Sequence, residues 1–542
     1  MFAIDTPPEG EKLTEPESRV KSHEITIPTN YREALQSPQK ELWIAAMNDQ
    51  IEKLESKNTY SLVDYPERDT DARVLPGKWV FDVKTDADNY ILTYRARWVI
   101  CGNRQREGLD FDNTYAPVVT ETATKLALSA IAIYGLYAEQ VDFVTAYLNA
   151  QLQGRKIYMR LPTGYYKNET NKVCSVLQAL YGLKQSAFLW NNVLDEKLKK
   201  LGFKPLLEDP CVYIRTGKSF AIIYVDDAVI AALTKDEVDE IKRELNKDFP
   251  IKEIGELGKF LGCHVIRDYE RGVITLTQAP YIEKILAEAG METCWPTGTP
   301  LNPRYWKNED ETPTNTAEYQ RLTGQFNWLV TKTRPDIAYA VSRLQRKNAN
   351  PNTTDLQACK ALLRYLKGQK DLGIVLGSKP HEGLAVYVDA SFGDNIDGKS
   401  TESYVATFAG ALISWATKKQ GFVATSSTTA EFCALSTATK EAIWLKKLTV
   451  ALGLEQPGPV PVYCDSANAI EVANKKGYSS SVKWVDNRYF FVREALQDGH
   501  IELRWIDGKL NPADGLTKPL DRIKHGRFRD LTGMEKHEAL KT

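Results

Sequence analysis

The sequence predicts a multidomain protein of mixed class, with an α+β portion over roughly the first 380 residues and an α/β domain after it. Three observations carry this. At 542 residues the chain is long enough for three or four folding units. Strand-like and helix-like periodicities are intermixed as far as Lys367. After Gly377–Gly383 the pattern becomes strand, strand, helix, strand, helix, helix, strand, the alternation of an α/β layer. Apolar residues at 43% and charged residues at 26% are ordinary for a folded chain, which excludes disordered, collagenous and low-complexity classes for most of the length.

The elements follow in order. Residues 1–28 hold Pro7, Pro8 and Pro16, six acids and three bases, and read as a disordered linker left from a longer precursor. Residues 30–57 read as an amphipathic helical stretch around Leu35, Leu42, Ile44, Met47, Ile51 and Leu54. Lys78–Lys84 and Ile91–Ile100 alternate basic and apolar residues about a turn at Asp86–Asn89, which predicts a hairpin. A helix over Thr122–Tyr137 precedes a strand over Glu139–Val144, and helices follow around Ser175–Leu201. Helices are expected again from Asp236 to Leu286 and from Ala317 to Lys367, with the polar stretch Asn302–Thr316 as an inter-domain loop. Domain limits are thus placed at 29–250, 251–301, 302–380 and 381–520, with a basic tail over 521–542.

No apolar run approaches the ~18 residues of a membrane span, and the N-terminus lacks a signal-peptide pattern, so an intracellular protein is expected. A formal charge of −1 excludes a globally basic nucleic-acid coat but leaves room for a basic channel. The 8 cysteines stand singly and the 6 histidines are isolated, so structural zinc and disulfides are not expected. Any metal would be held by oxygen ligands.

One segment stands out. Phe220-Ala-Ile-Ile-Tyr-Val-Asp-Asp-Ala-Val-Ile-Ala-Ala-Leu233 is apolar apart from two adjacent acids. Burying an unpaired charge costs several kcal/mol, so two readings survive. Either Asp226 and Asp227 lie exposed at a hairpin turn, or a cation neutralises them at its tip. Successive strand residues face opposite sides, so at most one of the pair is a main ligand unless the turn brings both round. A third carboxylate must then come from elsewhere. Asp142 ends a short apolar strand 84 residues before Asp226, where a helix N-cap is the other reading.

Tyr224-Val-Asp-Asp227 resembles the catalytic motif of reverse transcriptases, and Asp142 with Ala146 and Tyr147 resembles their other acidic motif. The wider wording is similar to copia-type retrotransposon polymerases. It runs through Tyr31-Arg-Glu-Ala-Leu35 with Trp43, Trp79-Val-Phe81, Tyr94-Arg-Ala-Arg97 and Ile157-Tyr-Met159. It continues through Ala179-Leu-Tyr-Gly-Leu-Lys-Gln-Ser186, Gly255-Glu-Leu257, Phe260-Leu-Gly262 and Thr333-Arg-Pro-Asp-Ile-Ala338. The resemblance implies a right-hand polymerase: fingers and palm over 29–250, primer grip and thumb over 251–301, and a helical thumb and connection over 302–380. It implies Asp142, Asp226 and Asp227 as the palm triad, with two Mg²⁺ and Mn²⁺ as a substitute. It implies Arg97, Lys84, Tyr181 and Gly182 as nucleotide contacts and Tyr147 as the sugar gate. Gly255, Leu257, Phe260, Leu261 and Gly262 match the primer grip.

The last domain carries its own acids. Asp389 and Asp465 each end a strand, Glu431 opens a helix on its apolar stripe, and Asp514 starts the last helical turn. Any one alone reads equally as a cap. Four acids gathered beyond the strand ends of an α/β sheet repel one another unless cations lie between them. Together they resemble the Asp-Glu-Asp-Asp set of ribonuclease H, and Thr428-Thr-Ala-Glu431, Cys464-Asp-Ser-Ala-Asn468 and Ala513-Asp-Gly-Leu-Thr-Lys518 are again copia-like. The resemblance implies two-metal hydrolysis of the RNA of an RNA–DNA hybrid, at a site on a separate folding unit from the palm triad. Departures are Trp484 where the family commonly has His and Ala187 where it commonly has Pro.

Partners implied in the same way are an RNA template, a DNA primer or RNA–DNA hybrid, dNTPs, a tRNA or RNA primer, and the integrase and capsid protein of the same element. The expected place is the cytoplasm, in virus-like particles, with passage to the nucleus open. The alternative is a domesticated, non-catalytic nucleic-acid-binding derivative, which would be expected to have lost at least one of the seven acids.

Overall fold

The structure is a computed structural model that describes residues 20–67, 73–85, 90–152, 154–305, 312–454, 456–475 and 486–537. Most of the N-terminal linker, the Asp86–Asn89 turn, the middle of the 302–316 stretch and Trp484 lie outside the described residues. The chain forms two compact units. One takes Met1–Pro117, Phe143–Lys200 and Asp248–Pro250; the other takes Val118–Asp142, Leu201–Lys247 and Ile251–Thr542. The expected border at 250 therefore gives way to a chain that crosses between units several times.

In the first unit, helix α1 (Lys40–Ser56) buries Trp43, Met47, Ile51 and Leu54 against a long antiparallel ribbon of β1 (Gly77–Thr85) and β2 (Ile91–Ile100). Alternation decides the two faces. Trp79 and Phe81 point inward, while Lys78, Val80, Asp82 and Lys84 point outward. Leu35 and Leu42, expected on the apolar stripe, are 38% and 50% exposed; Trp43 and Ala46 take the inner positions instead. The end of the expected linker is ordered, since the Ile91 N–H donates to the Val20 carbonyl and Lys21 bridges Tyr90. A four-stranded sheet of Tyr60–Asp64, Lys172–Val176, Ile157–Met159 and Val74–Leu75 completes the unit, in that order, with helix Ser186–Lys200.

In the second unit, helix α2 (Glu121–Ile133) lies on a six-stranded sheet. Its strands β3 (Tyr137–Phe143), β4 (Ser219–Tyr224) and β5 (Asp227–Ala232) are Ala, Val and Ile rich and largely buried. The sheet order is β6 (Ile251–Glu256), β3, β5, β4, then Val212–Arg215 and Lys204–Pro205. The helices expected between 251 and 277 are instead strands: β6, β7 (Lys259–Phe260), β8 (Cys263–Asp268) and β9 (Val273–Thr277). The β-branched residues Val265, Ile266, Val273, Ile274 and Thr275 favour pleated pairing, and Gly272 turns the hairpin at φ +64°.

Helices α3 (Thr316–Lys332), α4 (Ala338–Gln345) and α5 (Thr353–Gly368) form a separate core around Tyr319, Phe326, Leu344 and Leu362, as expected of 317–367. Strand β10 (Leu372–Leu376) follows. The Thr333–Ala338 motif proves to be a buried lock. Arg334, fully buried, donates to both carboxylate oxygens of Asp336 at 2.8 and 2.7 Å and to the Gln369 carbonyl at 2.9 Å. The Tyr365 hydroxyl donates to Asp336 at 2.7 Å, and His525 bonds the Asp336 carbonyl at 2.9 Å.

The last domain has three strands before its long helix, one more than expected: β11 (Ala385–Ser391), β12 (Thr401–Phe408) and β13 (Ala411–Lys419). Then come α6 (Ser427–Ala451), β14 (Val460–Cys464), α7 (Ala467–Asn474), α8 (Asp486–Gln497) and β15 (Ile501–Trp505). Sheet order is β13-β12-β11-β14-β15, antiparallel through β11 and parallel beyond it, which is a ribonuclease H-like topology. The expected basic tail is folded. Helix α9 (Arg522–Leu531) leads to β16 (Met534–Lys536), which pairs with β10 at the end of the β7-β8-β9-β10-β16 sheet. Leu126 and Ala130 of α2 share one continuous core with Ile413 of β13 and Leu435 of α6. The two acid sets therefore sit in one compact unit, not in separate ones. No helix of the described residues is long and apolar enough to cross a membrane.

Candidate functional site

The β4–β5 hairpin carries one acid of the pair at its tip and the other at the first position of its second strand. Tyr224 pairs with Asp227, leaving only Val225 and Asp226 to make the turn. Val225 takes φ +57°, a conformation a β-branched residue rarely holds, and two-residue hairpins demand such left-handed positions. The strained turn carries Asp226 at the tip. Asp227, the first residue of β5, is directly opposite Asp142 on β3. Directly paired residues share a sheet face, with Cβ atoms about 4.5–5.5 Å apart. The register thus brings two of the three predicted acids side by side and the third to the adjoining turn. All three are half-buried, and Gln140 approaches Asp227 at 3.5 Å.

The predicted nucleotide contacts lie in the first unit. The Arg97 guanidinium is over the Tyr181 ring at 5.5 Å, and the Tyr147 and Tyr181 rings lie 4.9 Å apart. Thr145, at φ +51°, turns the chain into the short helix that holds Tyr147. Gly182 serves packing. At φ +97° its missing Cβ would fall 2.0 Å from the Ile100 carbonyl oxygen, while the Ile100 N–H donates to the Tyr181 carbonyl at 3.0 Å. The backbone it admits is β2, not a ligand. Lys84 shares the outer ribbon face with Arg97 but does not join the cluster. Arg97 pairs with Val80, and Lys84 lies four residues further, about 13 Å along the strand. Lys78 is the diagonal neighbour of Arg97 on that face.

Of the predicted primer grip, Leu257 and Phe260 bury their side chains in the main core. Gly255 and Gly262 take φ +94° and +81°, and Leu261 +50°. Gly262 lets the half-exposed Trp328 ring of α3 lie where a Cβ would come within 2.7 Å. Ala187 is the second residue of helix Ser186–Lys200.

The second acid set converges. Val388 of β11 pairs in parallel with Cys464 of β14, so Asp389 and Asp465, each one residue on, emerge together at the strand ends. Glu431 lies one turn inside α6, one turn later than expected. The turn that carries Asp514 is bolted to the sheet. The Asn511 amide donates to the Val388 carbonyl at 2.9 Å, Ser403 to that of Ala513 at 2.9 Å, and Thr517 to the Asp389 carboxylate. Lys518 forms an ion pair with Asp514.

Burial, then mutual repulsion, perturbs these acids. Burial and the charges of Asp389 and Asp465 push Glu431 up to about 9. Burial pushes Asp389 up to about 6 against the pull of Lys518, and Asp465 moves the same way. Glu431, Cys464 and Asp465 offer ligand atoms within 4.8 Å of one another. Burial drives the Cys464 thiol well above its ordinary range, so it stays protonated and the carboxylates are the donors. The Glu431 Oε2 is buried without a hydrogen-bond partner among the described residues. A buried lone carboxylate oxygen among repelling acids is what a hard divalent cation satisfies, so the donor set fits Mg²⁺.

Residues 57–303 match the family described as reverse transcriptase (RNA-dependent DNA polymerase). The chain is 36% identical to the retrovirus-related Pol polyprotein from transposon TNT 1-94 of Nicotiana tabacum, over 94% of this chain and 39% of that protein. It is 32% identical to the Pol polyprotein from transposon RE1 of Arabidopsis thaliana, over 93% of this chain and 34% of that protein. It is 34% identical to the transposon Ty5-1 protein of Saccharomyces cerevisiae, covering all of that protein with 56% of this chain. The chain thus spans little more than a third of the plant polyproteins it matches.

Proposed function

This chain belongs to the copia-type reverse transcriptase family of transposon Pol polyproteins, and from that premise we propose that it copies RNA and DNA templates into DNA and degrades the RNA of the resulting hybrid. The observation that carries the first activity is the register: Asp142 directly opposite Asp227, with Asp226 at the strained tip beside them. In this reading Asp142, Asp226 and Asp227 hold divalent cations. Bound Mg²⁺, or Mn²⁺ in its place, would lower the pKa of the attacking hydroxyl and neutralise charge on the transferring phosphoryl group. The hairpin's part is to present the carboxylates on one face and the primer end to the same place. Arg97, supported by Tyr181, grips the triphosphate of the incoming dNTP, and Tyr147 fills the space a ribose 2′-hydroxyl would need.

The second activity rests on the orphaned Glu431 oxygen among Asp389, Asp465 and Asp514. These acids would hold the cations of an RNA-cleaving site. Retention of all seven carboxylates favours an active enzyme over a domesticated binding protein. The partners of this reading are an RNA template, a tRNA or RNA primer, and the integrase and capsid of the same element, in cytoplasmic virus-like particles. The test is primer extension on a labelled RNA template with Mg²⁺. Wild type should extend the primer and shorten the template, and Asp226→Asn should fail to extend while still folded. Extension by Asp226→Asn at near wild-type rate would overturn the triad.

A further inference from the structure

Beside the second acid set is a cavity of about 370 Å³ whose border includes Asp465, Asp514, Lys509, Lys518, Lys524 and Arg527. Two of these cations come from α9, the segment expected to be a loose basic tail. That helix is clamped on one side only. His525 and Phe528 are buried, His525 bonds the Asp336 carbonyl, and Arg529 donates to Gln369 at 2.5 Å. Gly515 brings the Asp514 turn hard against it, since a Cβ there would lie 2.5 Å from the Phe528 ring. Lys524 and Arg527, three residues apart and so on one face, are left exposed toward the cavity.

Three of the four cations on this border have no ion-pair partner among the described residues. Lys518 is taken up by Asp514. Asp507 is used by the Lys509 backbone N–H at 2.8 Å. Among the described residues no carboxylate lies within ion-pair distance of the Lys509, Lys524 or Arg527 side chains. Three cations without ion-pair partners beside a cluster of acids cannot serve a cation held by those acids. They fit a polyanion that runs past the acids.

We propose that Lys509, Lys524 and Arg527 form a phosphodiester-binding subsite that seats the RNA strand's backbone next to the bond being cut, so that α9 is a working wall of the second site. This rests on the ribonuclease reading of the acids for the identity of the strand. Phosphate contacts position a nucleic acid without reading its sequence, and each contact releases condensed counterions. The subsite therefore holds any RNA sequence, and its contribution fades with salt.

The test uses the full chain in a Glu431→Gln background, so that bound RNA–DNA hybrid stays intact, with affinity measured against NaCl concentration. Lys524→Gln/Arg527→Gln should flatten the log–log salt slope by about 2, one for each lost phosphate contact. The charge-retaining Lys524→Arg/Arg527→Lys pair should restore it. As a second measurement that needs no variant of α9, 4-thiouridine in the RNA strand should cross-link to the α9 peptide. An unchanged slope, or cross-links that avoid α9, would overturn the proposal; cross-linking from thiolated DNA alone would overturn its assignment to the RNA strand. Cleavage of the same hybrid by wild-type chain in Mg²⁺ is scored separately. Its absence would sink the ribonuclease reading, whereas the slope and cross-links judge the cationic subsite.

Discussion

Replacing Glu431 by Gln should make the metal-free protein more stable at neutral pH while abolishing RNA cleavage. Burial beside Asp389 and Asp465 moves this carboxyl from an ordinary 4.5 up to about 9. Its folded pKa lies above its unfolded one, so the folded state binds the extra proton. Stability is then lost as pH rises from about 4.5 and the loss is complete near 9. At pH 7 the loss amounts to about 3 kcal/mol, from 1.36 kcal/mol for each pH step above 4.5. Asp389, pushed up to about 6, acts in the same direction, and the two carboxyls titrate as a pair. Gln has the same shape and cannot ionise, so the variant lacks this slope. The assay is thermal unfolding of both proteins in EDTA at about pH 5 and about pH 8.5, repeated with Mg²⁺. The two should nearly coincide at the lower pH, and the variant should be the more stable at the higher. Mg²⁺ should stabilise wild type increasingly as pH rises and the variant much less. A gap that does not change with pH, or that favours wild type at high pH without metal, would refute the electrostatic reading of the site.

Asp142→Asn should stop nucleotide addition yet still cut preformed hybrid, and Glu431→Gln should do the reverse; a shared core does not prevent this, because each exchange keeps side-chain volume. If Glu431→Gln silences both reactions in folded protein, a single shared site is the better description. Tyr147→Ala should raise ribonucleotide relative to deoxyribonucleotide incorporation, and an unchanged ratio with activity retained would assign Tyr147 to packing against Tyr181. Gly182→Ala should cost on the order of 2–3 kcal/mol, since it puts a Cβ on the Ile100 carbonyl at positive φ; a urea midpoint equal to wild type would contradict this. Arg334→Ala should cost about 3–5 kcal/mol by leaving Asp336 buried and unpaired, and unfolding at the wild-type temperature would show that the lock carries no weight.

Sequence alone determined which acids stand at the ends of apolar strands and the class of most of the elements that hold them. An acid pair within an apolar run marked either a turn or a cation site, and alternation separated the faces of the Lys78–Ile100 hairpin. These are local properties, set within a few residues. Tertiary structure decided what local pattern could not. Whether Asp227 faces Asp142 depends on strand register, and a one-residue slip would turn it away. Leu257 and Phe260 resemble contact residues in sequence, yet their side chains are buried in the main core. Strand β9 pairs with β10 about 100 residues on, and β10 pairs in turn with the C-terminal β16, so this sheet closes through partners that no local window contains. The tail became a helix for the same reason. Phe528 and His525 find a buried place only once the Arg334–Asp336 lock and the Asp514 turn are both assembled, and their burial leaves Lys524 and Arg527 facing the acids.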